Sequence, residues 1–338
     1  MNHAPRTGAL VALIVATAIS CRQPEPRDSA STASGQWRDP SPHRSEYVSV
    51  NGVRLNYLDW GGTGPALVLI HGLTDSPHVF DDFAATIRDR FRVIAYARRG
   101  HAQSEAPPGP YNQATLVEDL RQLLDQLHIA QASLLGWSMG GNEITEFAGR
   151  YPDRVDKLVY LEAGYDWSDP SIQKDFPAFN PEPSALRSLD AYRSWYRRTW
   201  FGNTPWTPGL EAYLRDIIRV SADGTVHPVP SGPVLDALVA SWASSSRDYR
   251  RVRAPALAIY SASFLPLDPA APDAMRMSQS WEEHTMAAFR RASIERVRRE
   301  LPSVVVREFP NTAHVSILVL AQDPISAAIR EFLTTPGR

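Results

Sequence analysis

Apolar and polar positions change their spacing several times along the chain, and each change marks an element. Tyr47-Val48-Ser49-Val50 and Val53-Arg54-Leu55-Asn56-Tyr57 alternate with a period of two. Between them lies Asn51-Gly52, a pair suited to a tight turn, so the segment predicts a β-hairpin. Ala66-Leu67-Val68-Leu69-Ile70 is a continuous apolar run beside a glycine cluster, the pattern of a strand buried on both faces. A helix over 78–88, a strand over 91–96 and a helix over 114–127 follow. Then come a strand ending at Leu135, a helix from Asn142 to Tyr151 stopped by Pro152, and a strand over 157–161. Strands alternating with helices predict an α/β chain with a mostly parallel sheet covered on both faces.

The alternation breaks over about 164–250, a proline-punctuated stretch holding Trp167, Trp195, Trp200, Trp206 and Trp242. It resumes with strand Ala256-Leu257-Ala258-Ile259-Tyr260, a helix near 281–299, strand Val304-Val305-Val306 and a helix over 324–333. The interruption predicts a helical cap over the carboxyl ends of the strands, where such sheets bind ligands. The expected division is therefore a core over 46–163 and 251–338, with a cap over 164–250. Clustered tryptophans read as the cap's own core, with one or two facing the pocket. Trp137 and Trp167 are the pocket candidates.

The first 20 residues have a different pattern. Arg6 precedes an apolar run from Gly8 to Ile19, short for a membrane span and suited to an export signal. Ala18-Ile19-Ser20-Cys21 resembles a bacterial lipoprotein box, although alanine stands where leucine is more usual. On this reading Cys21 becomes the lipidated first residue. The alternatives are an ordinary signal peptide or an uncleaved anchor. Residues 21–45, rich in Pro, Ser, Arg and Asp, read as a flexible tether. The expected location is the cell envelope, by lipid anchor or as a secreted or periplasmic protein. Composition adds exclusions. The net charge of -2 gives no reason to expect a nucleic-acid partner, and a single cysteine excludes an intrachain disulfide.

Chemistry concentrates at Gly136-Trp137-Ser138-Met139-Gly140. One serine stands between two glycines at a strand-to-helix junction, so its Oγ is presented on a sharp turn. The Met139 N–H then lies at a helix N-terminus, where it can meet a developing oxyanion. A serine hydroxyl needs a base, and His314 in Asn311-Thr312-Ala313-His314 is the histidine in the right context. His71 reads as ordering a loop and His101 as structural. His3 lies in the signal segment, His43 in the tether and His128 at a helix end. By sequence spacing no His/Cys/Asp cluster suggests a metal site, so no metal or cofactor is expected. Gly61-Gly62-Thr63-Gly64 precedes a strand and lacks a lysine, unlike a phosphate loop.

Four motifs together resemble the α/β-hydrolase superfamily over residues from Glu46 onward. They are Ile70-His71-Gly72-Leu73, Arg98-Arg99-Gly100-His101-Ala102-Gln103-Ser104, the serine turn, and the loop ending at His314. The second departs from the family pattern by placing Ala102 at a glycine position. The resemblance implies a capped serine hydrolase with Ser138 as nucleophile, His314 as base, and the Leu73 and Met139 amides as oxyanion donors. Serine at the turn argues against the dehalogenase and epoxide hydrolase branches, which use aspartate there.

Most members carry their acid after the penultimate strand, yet here that turn reads Tyr260-Ser261-Ala262-Ser263-Phe264. Two carboxylates compete for the role. Glu162 ends the strand over 157–161, the position used by haloalkane dehalogenases, and Asp268 follows the usual turn. Glu162 is preferred because a carboxylate buried at a strand end without a partner is costly. Asp166 ranks third. The expected activity is cleavage of a carboxylic ester, apolar or aromatic, through an acyl-serine. An amidase, lactonase or carbon–carbon bond hydrolase would use the same groups. The rival of another class is a non-catalytic envelope binding protein.

Overall fold

The computed structural model describes residues 37–173, 180–202, 204–265, 279–320 and 322–335. The proposed signal segment, Cys21 and Asp268 lie outside the described residues.

β1 (Arg44–Val50) and β2 (Val53–Gly61) form the expected hairpin. Its turn residues Asn51 and Gly52 both have positive φ, at 46° and 74°, as a two-residue primed turn requires. Next are β3 (Ala66–Ile70), β4 (Arg92–Tyr96), β5 (Ala132–Trp137) and β6 (Val155–Leu161). A small hairpin of β7 (Ile218–Val220) and β8 (Val226–Pro228) lies within the cap stretch. β9 (Ala256–Ser263) and β10 (Val304–Ala313) complete the main sheet. Its order is β1-β2-β4-β3-β5-β6-β9-β10, parallel from β4 to β10.

The continuous apolar runs are explained by burial on both faces. Leu67 and Leu69 of β3 join one apolar layer with Phe83 and Ile87 of α1 (Asp81–Ile87) and with Ile325 and Ile329 of the last helix (Gln322–Thr334). Val68 and Ile70 join the other, with Val117 and Leu120 of α2 (Gln113–Gln126) and Ile144 and Phe147 of α3 (Gly140–Arg150). Successive side chains on a strand point to opposite faces, so one strand supplies both layers.

The cap stretch differs from the expected all-helical insertion by the β7–β8 hairpin. Its other elements include helices Leu189–Tyr196, Pro208–Asp216 and Gly232–Ala243. Trp195, Trp200 and Trp206 pack on Tyr192, Tyr196, Phe201 and Tyr213, as a core of the cap itself. The cap meets α1 and the loop after β4 through polar contacts. Thr207 Oγ1 donates to Asp82 at 2.8 Å and Gln103 Nε2 to Asp216 at 2.8 Å.

The folded part begins earlier than residue 46. β1 starts at Arg44, and Ser41 Oγ donates to Asp81 at 2.9 Å. Composition alone suggested a tether there because it weighs apolar burial, whereas these contacts are polar. Among the described residues no helix is long and apolar enough to cross a membrane.

Candidate active site

β5 runs straight into α3 through Ser138, whose φ of 52° is left-handed. That geometry is strained for a residue with a Cβ and is kept where the surroundings enforce it. Close approach enforces it here. A Cβ on Gly136 would lie 2.6 Å from the Gly140 carbonyl, and one on Gly140 would lie 2.4 Å from the Ile70 oxygen. Two hydrogens at these positions let the strand, the turn and α3 pack together. Ser138 still continues the sheet, donating its N–H to Leu161 O at 3.2 Å, and its side chain is half-buried.

Ser138 Oγ lies 2.9 Å from His314 Nε2, and His314 Nδ1 lies 2.8 Å from Glu162 Oε2. These three side chains, far apart in sequence, form one unbroken chain of hydrogen bonds. With Nδ1 donating to the carboxylate, Nε2 is left as acceptor for the serine proton. The histidine loop follows a break in the β9–β10 register between Phe309 and Ala313, and His314 N–H donates to Ser263 O at 2.8 Å. Phe264 stacks on the imidazole at 4.5 Å and 17°.

Glu162 ends β6 with φ of 50° and is fully buried. Its N–H donates to Ile259 O at 2.8 Å, while its Oε1 accepts the N–H of Ser261. The Tyr165 hydroxyl donates to Oε2 at 3.2 Å. The turn where the family resemblance expects an acid thus supplies a backbone donor to a carboxylate from the neighbouring strand. Burial, then the Glu162 charge, holds the Tyr165 phenol well above its ordinary range. Asp166 is engaged elsewhere, with Arg296 and with Ser246 at 3.0 Å.

The loop after β3 faces Ser138. Arg98 grips it, donating to Gly72 O at 2.8 Å and to His71 O, and is itself paired with Glu143 of α3. Tyr96 donates to the other Glu143 oxygen at 2.8 Å. One buried guanidinium therefore joins the loop after β3 to the helix that follows the serine. His101 Nε2 lies 2.6 Å from Leu73 O, so the ring donates to that loop as well. Burial, with Arg98 second, pushes His101 down to about 4. Among the described residues no hydrogen bond takes up the N–H of Leu73 or Met139. Ala102, at the family's glycine position, has φ of 46°, which accounts for the usual residue.

Both aromatic pocket candidates adjoin the histidine. Trp137 Nε1 donates to His314 O at 3.2 Å, and the Trp167 ring meets the imidazole edge-on at 6.2 Å. Both are buried. The apolar surface beside Met139 and Leu73 comes from Val234 and Leu238 of the cap.

Sequence reasoning missed several residues at this site. Tyr165 had a local signal, three residues after Glu162 at a strand end. Ser261 had none, because it acts through its backbone. Asp75 also had none. It takes a hydrogen bond from Tyr213, whose hydroxyl lies 2.7 Å from that of Tyr196, so the cap reaches the loop after β3. Burial raises the Asp75 carboxyl above its ordinary value, with the Tyr213 bond opposing.

Comparison with known proteins agrees with this architecture. A family model described as alpha/beta hydrolase fold matches residues 65–208. An uncharacterized protein of Mycobacterium tuberculosis is 35% identical over 135 residues, covering 40% of this chain and 39% of that protein. The chain thus spans about two fifths of that relative's length. A 2-(acetamidomethylene)succinate hydrolase of Mesorhizobium japonicum is 28% identical over 274 residues, covering 78% of this chain and 86% of that protein. A crystal structure of E-2-(acetamidomethylene)succinate hydrolase superposes with a TM-score of 0.65 at 21% identity, over 87% of this chain and all (100%) of the other. The eight-stranded order, the serine turn between β5 and α3, and these matches show that the chain has the α/β-hydrolase fold.

Proposed function

We propose that the protein is a serine hydrolase that cleaves a carboxylic ester through an acyl-serine. The observation that carries this reading is the chain Ser138 Oγ–His314 Nε2–His314 Nδ1–Glu162, with contacts of 2.9 and 2.8 Å. In it, Ser138 Oγ attacks the acyl carbonyl while His314 Nε2 takes its proton. Glu162 holds the ring in the tautomer that can do so and balances the imidazolium charge. The oxyanion forms facing the Leu73 and Met139 amides. Each such donor contributes roughly 10²–10³ in rate. His314 then protonates the departing alcohol, and water, deprotonated by the same ring, releases the acid.

The apolar surface of Val234, Leu238 and Met139 beside these amides supports an apolar or aromatic acyl group over a charged one. No cofactor enters this scheme. The Gly8–Ile19 run and Cys21 support export and lipid anchoring at the cell envelope, and a Cys21→Ala variant that leaves the membrane fraction would bear that out.

The test is turnover of p-nitrophenyl esters of increasing acyl length by the wild type and by Ser138→Ala, with fluorophosphonate labelling beside it. Turnover lost by ~10⁴-fold or more in the variant is the expected result. Labelling of Ser138 without ester turnover moves the assignment to amides, lactones or carbon–carbon bonds. Absence of both removes the enzyme reading and leaves a binding protein.

A further inference from the structure

Far from Ser138 in sequence, the segment ahead of β1 meets the turn that opens α1. Asp39 and His43 come from the first, His78 and Asp81 from the second, and one ligand atom of each lies within 4.8 Å of all the others. His43 Nε2 is 2.9 Å from Asp39 Oδ2 and 3.7 Å from Asp81 Oδ1. His78 Nδ1 is 2.8 Å from Asp81 Oδ2 and 3.7 Å from Asp39 Oδ2. We propose that these four side chains bind a divalent transition-metal ion of the zinc class, which fastens the segment ahead of β1 to the loop that carries Leu73.

Geometry is the first support. A tetrahedral ion with bonds of about 2.0–2.1 Å separates its ligand atoms by about 3.3 Å. The four distances straddle that value. Donor chemistry is the second. Two carboxylates match the charge of a divalent ion, and two imidazoles favour zinc and its neighbours over magnesium or calcium, which take oxygen ligands.

A third support is burial without satisfaction. The His43 side chain is 6% exposed and that of Asp81 is 3%. Neither ring nitrogen of His43 nor Asp81 Oδ1 has a hydrogen-bond partner of acceptable alignment. In a plain histidine–aspartate ion-pair network the His43 ring too would align an N–H with a carboxylate, as His78 Nδ1 does with Asp81 Oδ2, since a buried polar group left unpaired is costly. Lone pairs converging on one point are what a cation requires.

The surroundings orient the ligands. Ser41 N–H donates to Asp39 Oδ1 at 2.9 Å, leaving Oδ2 turned inward, and Ser41 Oγ donates to Asp81 Oδ2 at 2.9 Å. The His43 ring is held edge-on by Trp60 at 5.5 Å and by His78 at 5.0 Å. Uptake replaces the proton between His78 Nδ1 and Asp81 with the ion, so binding releases a proton. Ser76, which caps the His78 turn, is only three residues from Leu73. A clip at this place fixes the root of the oxyanion loop.

The experiment is titration of the full chain, stripped with chelator, with Zn²⁺ against a chromophoric competitor, and with Co²⁺ for its visible spectrum. One equivalent bound, a tetrahedral Co²⁺ spectrum and a rise in Tm on adding Zn²⁺ are expected. His43→Ala and Asp39→Asn should each weaken Zn²⁺ binding by more than ~100-fold, above what loss of an outer partner costs. They should also abolish the Tm rise, while Ser138→Ala leaves both intact. Asp39 is partly exposed, so Asp39→Asn separates loss of the ion from misfolding. No stoichiometric uptake, an octahedral Co²⁺ spectrum, or equal affinity in Asp39→Asn would overturn the proposal.

Discussion

At the scale of single residues, the two strand-end positions 138 and 162 share one backbone solution. Both are left-handed, with φ of 52° and 50°, and both turn a polar side chain toward the same histidine. Strain of this kind costs on the order of 1–3 kcal/mol per site, and neighbouring structure must hold it in place. For Glu162 that structure is the Ser261 amide, the Tyr165 hydroxyl and the His314 ring. Glu162→Gln would keep the shape but remove the charge that favours the imidazolium. We expect kcat to fall by roughly 10³–10⁴, while Asp268→Asn loses far less. A reversed ranking in folded proteins would transfer the acid role to Asp268.

His71 supplies a pH prediction at the same scale. Its Nδ1 lies 2.8 Å from Gly72 O and its Nε2 accepts the Arg98 N–H at 3.2 Å, an arrangement made for the neutral ring. Burial, then the nearby Arg98 charge, holds it well below its ordinary 6.5. The unfolded chain takes up this proton near pH 6.5 and the folded protein does not. The stability it contributes is therefore complete above that pH and is lost as pH falls toward the folded value. Denaturant midpoints of the wild type should drop more steeply below pH 6.5 than those of His71→Asn. Parallel profiles would rule this out.

At the scale of elements, the strand–turn–helix unit around Ser138 works because β3, β5 and α3 touch almost backbone to backbone. In Gly140→Ala the new methyl would meet the Ile70 carbonyl 2.4 Å away, so β3 or α3 must move. Overpacking of this sort costs typically 1–3 kcal/mol. Urea unfolding should show that loss, and turnover should fall with it because the Met139 amide sits on the displaced turn. A midpoint within about 0.5 kcal/mol of wild type would mean that the contact is not tight.

The elements themselves were largely legible in the sequence. The apolar run 66–70 and the alternation on either side of Asn51-Gly52 correspond to β3 and the β1–β2 hairpin. Departures came where a regular period ends. The expected helix over 281–299 is interrupted by a π-helical turn, Glu282–Met286, ahead of its long α-helical part Ala287–Glu300. β10 runs on to Ala313 through residues such as Pro310 and Asn311, which carry no strand signal. They fall in the break of the β9–β10 register between Phe309 and Ala313, where pairing is interrupted and resumes at Ala313 with Ser263.

At the scale of the whole molecule, the sheet acts as a platform whose carboxyl edge gathers parts from every region. Arg98 couples the loop after β3 to α3, and the cap joins through Tyr213 and Asp75. Removing one partner of a buried ion pair costs about 3–5 kcal/mol, so the Arg98–Glu143 link makes the loop after β3 and α3 one mechanical unit.

The amino-acid sequence by itself determined the order of strands and helices, the interruption by a cap, and the places of Ser138 and His314. Each depends on residues within a few positions of one another: a hydrophobic period, a glycine on either side of a serine, a histidine between the last strand and helix. Tertiary structure decided which carboxylate faces His314, what holds it, and that Asp39, His43, His78 and Asp81 share one point. Those pairings join groups far apart along the chain: 99 residues for Ser261 and Glu162, 152 for Glu162 and His314, 176 for Ser138 and His314. A local pattern holds no information about such separations. They are fixed only when the sheet pairs its strands and burial forces each polar group to find its partner.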